Sequence, residues 1–184
     1  MRMRSKPGYQ VEPVGLRDGI WERGYITAWE LLRICAWKSA KGVALLSLNA
    51  EAEIEERTRN ACTQLRWLKD ADALDPSTDW DRWTESVRLA IGAKKLGTGL
   101  LGLSGVGYPV ATAVLCILNP RTFPVLDRWA VAGLYGDDRK SVSYERAARY
   151  SEYAQDLVRA GSSQQLGASS IHELDQLFMN AAMA

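Results

Sequence analysis

Apolar residues recur three and four positions apart along most of the chain, and no stretch alternates strictly between apolar and polar. That periodicity predicts helices and no strands. In 25–40, YITAWELLRICAWKSA, the residues Ile26, Trp29, Leu32 and Ala36 fall at helical spacing, and Lys-Ser closes the run before Gly42. Asn49 is placed to cap a second helix over 50–68. Its early turns carry Glu51, Glu53, Glu55 and Glu56, where the positive end of the helix dipole favours acids. Pro76 and Ser77 break the chain, and a third helix opens near Asp79. A short helix is expected around 94–103, a strongly apolar one over about 108–118, and another starting at Asp127, with Asn119-Pro120 ending the apolar one. Two more fit 143–160 and 169–182, linked by GSSQQLGASS. The expectation is an all-α chain of seven or eight short helices.

Composition adds exclusions. A length of 184 residues suits one domain, or a main domain with a small appendage. The net charge of +1 does not announce a nucleic-acid binder, so any electrostatic footprint must be local. No apolar stretch approaches a membrane span, and the basic start MRMRSKPGYQ leads into no apolar run; a cytoplasmic protein without a membrane segment is expected. Cys35, Cys62 and Cys116 are far apart and form no CxxC pair, so neither structural zinc nor an iron–sulfur cluster has its ligands. They are expected to be buried, reduced thiols. His172, the single histidine, is expected at an exposed helix start, and most of the seven tryptophans in the core.

The segment LSGVGYPVATAVLCILNPRTFPVLDRWAV, residues 103–131, carries the chemistry. Gly105 and Gly107 permit a tight turn and close backbone approach. A helix begins at that turn, so its free N–H groups can meet a phosphate oxygen. A glycine turn between two apolar helices is the pattern of a helix-hairpin-helix, which grips DNA through backbone contacts; a turn used for packing alone would look similar. Asp127, taken singly, reads as an ordinary N-cap.

Turn, apolar helix, Asn-Pro break and aspartate together resemble the helix-hairpin-helix base-excision DNA glycosylases. That superfamily includes endonuclease III, adenine glycosylase and 3-methyladenine glycosylase. Lyase-active members place a lysine two residues past the GVG and the aspartate eighteen further on. In this chain that lysine position is Pro109, and 127 − 109 = 18. The resemblance is best over 100–131 and weaker over 25–100. ELDQLF, 173–178, has the look of the closing helix of small relatives.

The resemblance implies a helical domain over 25–140 with the helix-hairpin-helix at about 94–118. The N-terminal arm 1–24 and residues 141–184 would pack together as a smaller second layer. It implies a monofunctional glycosylase, acting as a monomer on double-stranded DNA, that flips out a damaged or modified base and hydrolyses its glycosidic bond. An abasic site remains, in base-excision repair or in defence against phage DNA with modified bases. Cleavage builds positive charge on the deoxyribose, which the Asp127 carboxylate would stabilise while it orients water. Leu103, Gly105, Val106, Gly107 and Tyr108 would form the DNA-binding hairpin. Trp37, Lys38 and Ser39, at the place of a glutamine-rich duplex-probing stretch, are wedge or pocket candidates, as is Trp129. Lys94, Lys95, Arg121 and Arg128 would supply a local basic patch for phosphates. Pro109 has no amine, so the imine-forming lyase step loses its usual nucleophile, with Lys38, Lys94 and Lys95 as substitutes. No metal, cluster or other cofactor is expected, although the hairpin leaves room for a monovalent cation.

The alternative reading is a non-catalytic helix-hairpin-helix DNA-binding or scaffolding protein in which Asp127 only caps a helix. An all-α protein-interaction domain without DNA affinity leaves the spacing from turn to acid unexplained.

Overall fold

The structure, a computed structural model, describes residues 13, 15–38, 40–136 and 147–183. Among these it is all-helical, with no strand. In chain order the helices are α1 (Arg17–Arg23), α2 (Ala28–Lys38), α3 (Ala40–Leu46), α4 (Glu51–Leu65), α5 (Trp80–Ile91), α6 (Tyr108–Leu118), α7 (Arg128–Tyr135), α8 (Ala147–Ser163) and α9 (Ile171–Met183). Two of these nine, α1 and α3, are shorter than the periodicity of the sequence resolves.

Helix α6 is apolar on every side, and each residue from Val110 to Leu118 is buried. A helix with no polar face must be wrapped by other elements. Helices α1, α2 and α5 pack against it, and each large aliphatic it buries contributes about 1.5–3 kcal/mol. Its C-terminal carbonyls meet side chains rather than water. Leu118 O accepts from Arg17 Nε at 3.0 Å and from Trp21 Nε1 at 2.9 Å. The buried amide of Asn119 donates to Leu68 O at 2.7 Å and Ala71 O at 2.8 Å, which fixes the turn to the link between α4 and α5.

From Asn119 the chain runs back beside α6. Phe123 stacks against Trp83 of α5, centroids 5.7 Å apart, and Trp83 in turn meets Tyr150 of α8 at 5.5 Å. Leu126 N donates to Thr112 Oγ1 at 3.0 Å, so the returning strand ends level with the second turn of α6. Helix α7 follows, packed along α9. Their backbones nearly touch: a Cβ on Gly133 would stand 1.9 Å from Phe178 O.

Several expectations are corrected. Asn49 does not cap α4, whose N-cap is Ala50 with no side-chain bond; its amide is occupied elsewhere. The helix expected around 94–103 is two 3-10 turns, Lys94–Leu96 and Leu100–Gly102, because Gly97 and Gly99 between them take positive φ. Of the stripe Ile26, Trp29, Leu32, Ala36, Ile26 is fully buried but precedes α2, and the other three are not that helix's buried face. Leu31, Ile34, Cys35 and Trp37 point inward, and Trp29 is 67% exposed. Only Trp37 and Trp83 are buried among the tryptophans, while Trp21, Trp67 and Trp80 lie half-buried against the core. Cys35, Cys62 and Cys116 are buried and unlinked; burial pushes the Cys35 and Cys62 thiols up to about 11. Among the described residues no helix is long and apolar enough to cross a membrane.

Of the expected second layer, residues 1–12, 14, 141–146 and 184 lie outside the described residues, as do 137–140 of the expected main domain. What is described converges on one end of α6: α1 bonds Leu118 O, and His172 N at the start of α9 donates to Pro120 O at 3.2 Å.

The α7–α9 contact yields a test. Gly133→Ala forces backbone against backbone, where no rotamer change relieves the clash, and overpacking of this kind costs about 1–3 kcal/mol. Thermal unfolding followed by circular dichroism should show a midpoint several degrees lower; an unchanged midpoint would contradict the crossing geometry.

Candidate active site

The hairpin turn is anchored from beneath. Leu103 and Val106 are each 1% exposed and point into the core, so neither presents a side chain outward. Ser104, Gly105 and Gly107 form the outer surface. Asn49 clasps this surface, accepting from Ser104 N at 2.7 Å and donating to Ser104 O at 3.0 Å. That bidentate grip accounts for its absence from the cap of α4. Gly105, at φ 84°, packs where a Cβ would lie 2.4 Å from Gly42 O of α3. Its glycine requirement is therefore internal: α3 leaves no room.

Gly107 differs. Its backbone is extended, and a Cβ there would meet nothing closer than Pro109 Cδ at 3.8 Å. It is the N-cap of α6, with Val110 N and Ala111 N donating to its carbonyl. The outer face of the turn thus combines open space with the positive end of a helix dipole, a setting that suits an anion.

Asp127 is the N-cap of α7, its Oδ1 accepting from Trp129 N at 2.8 Å. Its other oxygen, Oδ2, lies 3.2 Å from Lys38 Nζ, from the last turn of α2. The two side chains are only 12% and 6% exposed. Capping thus engages one oxygen, while the second faces an ammonium from a helix 89 residues away in sequence. Breaking such a buried pair by removing one partner strands the other charge.

The approach to Asp127 is held residue by residue. Pro124 O accepts from Tyr150 Oη at 2.6 Å, Val125 N donates to Asp175 Oδ2 at 3.1 Å, and Leu126 N donates to Thr112 Oγ1. Three helices, α8, α9 and α6, therefore each supply one side chain to this strand. Asp175 also accepts from the Tyr153 hydroxyl, and His172 Nδ1 lies 3.8 Å from its Oδ2. Full burial raises the Asp175 carboxyl, against the lowering pull of His172, Tyr153 and the Val125 N–H. Tyr150 and Tyr153 are raised well above the usual phenol range, first by burial; the charge of Asp175 adds to both, and that of Asp127 to Tyr153.

The other sequence candidates divide. Trp37 is 8% exposed and meets His172 edge-on, centroids 6.5 Å apart, with Lys38 Nζ 5.1 Å from its ring. It walls the site from within, and its burial removes it as a protruding wedge. His172 is itself buried, correcting the expectation of a surface histidine. Ser39 lies outside the described residues. Tyr108 and Trp129 are half-exposed, and the Arg128 guanidinium covers the Trp129 ring at 4.9 Å. Lys94 and Lys95 are exposed before the hairpin. Arg121 lies beyond the far end of α6, bonded to Asp72 at 2.6 Å. Eleven helical residues separate that end from the hairpin, roughly 16 Å at 1.5 Å per residue, so Arg121 is not part of this cluster. Among the described residues no group of three or more metal-ligating side chains comes together.

Sequence reasoning missed Asn49, Thr112, Tyr150, Tyr153 and Asp175. Two left a signal. Thr112 is the one hydroxyl within VATAVLCIL, and Asp175 lies on the apolar stripe Ile171, Leu174, Phe178 of α9. Compared with protein families, curated proteins and solved structures, the chain matches none.

The contrast between the two glycines is testable with one substitution. Gly107→Ser introduces a good N-cap into open space and should alter stability by no more than about 0.5 kcal/mol. Gly105→Ser combines a positive φ with a clash on α3 and should cost at least about 2 kcal/mol. Urea unfolding of both variants decides; equal stability would refute the packing assigned to Gly105.

Proposed function

We propose that the chain is a DNA glycosylase that excises a damaged or modified base and leaves an abasic site. The observation that carries this reading is the joining of acid and turn by one helix. The hairpin opens α6, and Thr112, one turn in, receives the strand that delivers Asp127. The residue before Asp127 is thus tied to α6 four residues after the helix's first, about 6 Å along its axis at 1.5 Å per residue. The anion-suited turn would hold the phosphate backbone beside an extruded nucleotide. Asp127 would face the sugar, where a fixed carboxylate in a water-poor wall stabilises developing positive charge. Lys38, Trp37 and the Val125–Leu126 wall keep that carboxylate desolvated and directed.

Asp127→Asn keeps size and capping while removing charge. Base release should fall about 100–1,000-fold, the scale of losing one preorganised electrostatic group, while duplex affinity stays within a few-fold. Mass spectrometry of bases released from panels of damaged and phage-modified duplexes measures this. A folded Asn variant with wild-type rates would remove Asp127 from the chemistry. Salt-dependent duplex binding without release from any duplex would favour the non-catalytic DNA-binding reading.

The product provides a second test. Pro109 offers no amine, and Lys38 Nζ is engaged by Asp127 Oδ2 at 3.2 Å, so its attack on C1′ would require breaking that contact. Borohydride should therefore trap no covalent protein–DNA adduct, and the strand should stay intact until alkali cuts it. Efficient trapping that disappears in Lys38→Ala would make the enzyme a lyase whose amine comes from α2.

A further inference from the structure

Asp175 is the most buried acid among the described residues, and the reaction proposed above does not use it. Fully buried carboxylates are costly unless every lone pair is answered. Here two hydrogen bonds answer it, from Val125 N at 3.1 Å and from the Tyr153 hydroxyl, while His172 Nδ1 stands at 3.8 Å, beyond hydrogen-bond reach. Only one of these partners lies in the strand leading to the site. Val125 is two residues before Asp127, and its N–H sits between the Tyr150 bond at Pro124 O and the Thr112 bond at Leu126 N. The segment 124–126 belongs to no helix and no sheet, so only its side-chain partners restrain rotation about its axis, and such a rotation would swing the Asp127 carboxylate off Lys38 and off its cap. Bonds from α8 and α6 hold one point on either side of Val125. The bond from α9 holds the middle.

We propose that Asp175 is a positioning residue for Asp127. It fixes the rotation of the 124–127 segment through Val125 N, with the Tyr153 hydroxyl holding the Asp175 carboxylate in its own orientation. The consequence for catalysis rests on Asp127 being the reacting carboxylate; the positioning itself does not. Helix α9 thereby contributes to the site without touching substrate. It also links the acid to Trp37, because His172 meets Trp37 edge-on while flanking Asp175.

Asp175→Ala and Asp175→Asn separate this role from a general structural one. Asparagine retains an oxygen for Val125 N–H and an amide that the Tyr153 hydroxyl can accept, so geometry survives without charge. Single-turnover base release should fall at least 10-fold in Asp175→Ala, with the half-saturating duplex concentration within twofold of wild type. In Asp175→Asn it should stay within threefold of wild type. In an Asp127→Asn background, Asp175→Ala should produce no further loss, since its effect passes through the Asp127 carboxylate. A loss as large in that background as in the wild type would overturn the proposal.

An arm independent of catalysis is amide hydrogen exchange of the free protein. The Trp129 amide reports the orientation of Asp127 Oδ1, and the Leu126 amide reports the strand. Both should exchange at least 10-fold faster in Asp175→Ala, while the amides of α4 keep their wild-type rates. Unchanged protection at Leu126 and Trp129 would overturn the proposal even for an active enzyme. A wild type that releases no base from any duplex defeats the glycosylase reading instead, and the exchange result then decides the positioning role alone.

Discussion

Helix α6 has no side that can face water, and the rest of the molecule is arranged around that constraint. An apolar cylinder of eleven residues must be covered along its length and closed at both ends. The C-terminal end is closed by Arg17 and Trp21, which donate to Leu118 O, and by Asn119, whose amide ties the following turn to Leu68 O. The N-terminal end is left to the glycine turn and faces outward. One flank is covered by the chain's own return from Asn119 to Asp127, locked by the Trp83–Phe123 and Trp83–Tyr150 contacts. The acid reaches the open end of α6 because covering the helix brings it there.

That logic was largely legible along the chain. The limits of α6, the break at Asn119-Pro120, and Asp79 and Asp127 as caps follow from apolar runs and cap chemistry, which are local properties. What was not legible depends on partners distant in sequence. Asn49 looks like a cap until Ser104 arrives with a donor and an acceptor spaced for one amide. Trp29 fits a helical stripe, yet the direction of α2 is set by the core, which takes Leu31, Ile34 and Cys35. Arg121 is near Asp127 in sequence but remote in space, because a helix and its return strand reverse the order of distances. Lys38 was suspected of reaching the site; its partner was not predicted.

The Lys38–Asp127 pair and the Asp175 cluster solve the same problem differently. Both place a carboxylate where water is scarce. Asp127 meets the Lys38 ammonium and the Trp129 N–H, and its side chain keeps 12% of its surface open. Asp175 is enclosed by a phenol, an imidazole and a backbone N–H, with only 5% of its side chain exposed. The first arrangement suits a group that exchanges partners; the second suits a group that keeps them.

The packing of Gly105 against α3, backbone to backbone, has a mechanical meaning. The turn meets α3 without a layer of side chains that could slide or repack, and the segment carrying the acid is bonded to α6, the helix that the turn opens. Turn and acid are thereby two marks on one ruler. In the proposed complex the compliant partner is the nucleic acid: the duplex must locally unstack to match a fixed interval. Sites that unstack at least cost, mismatched or chemically weakened ones, would then be selected by their own softness before any side chain reads the base.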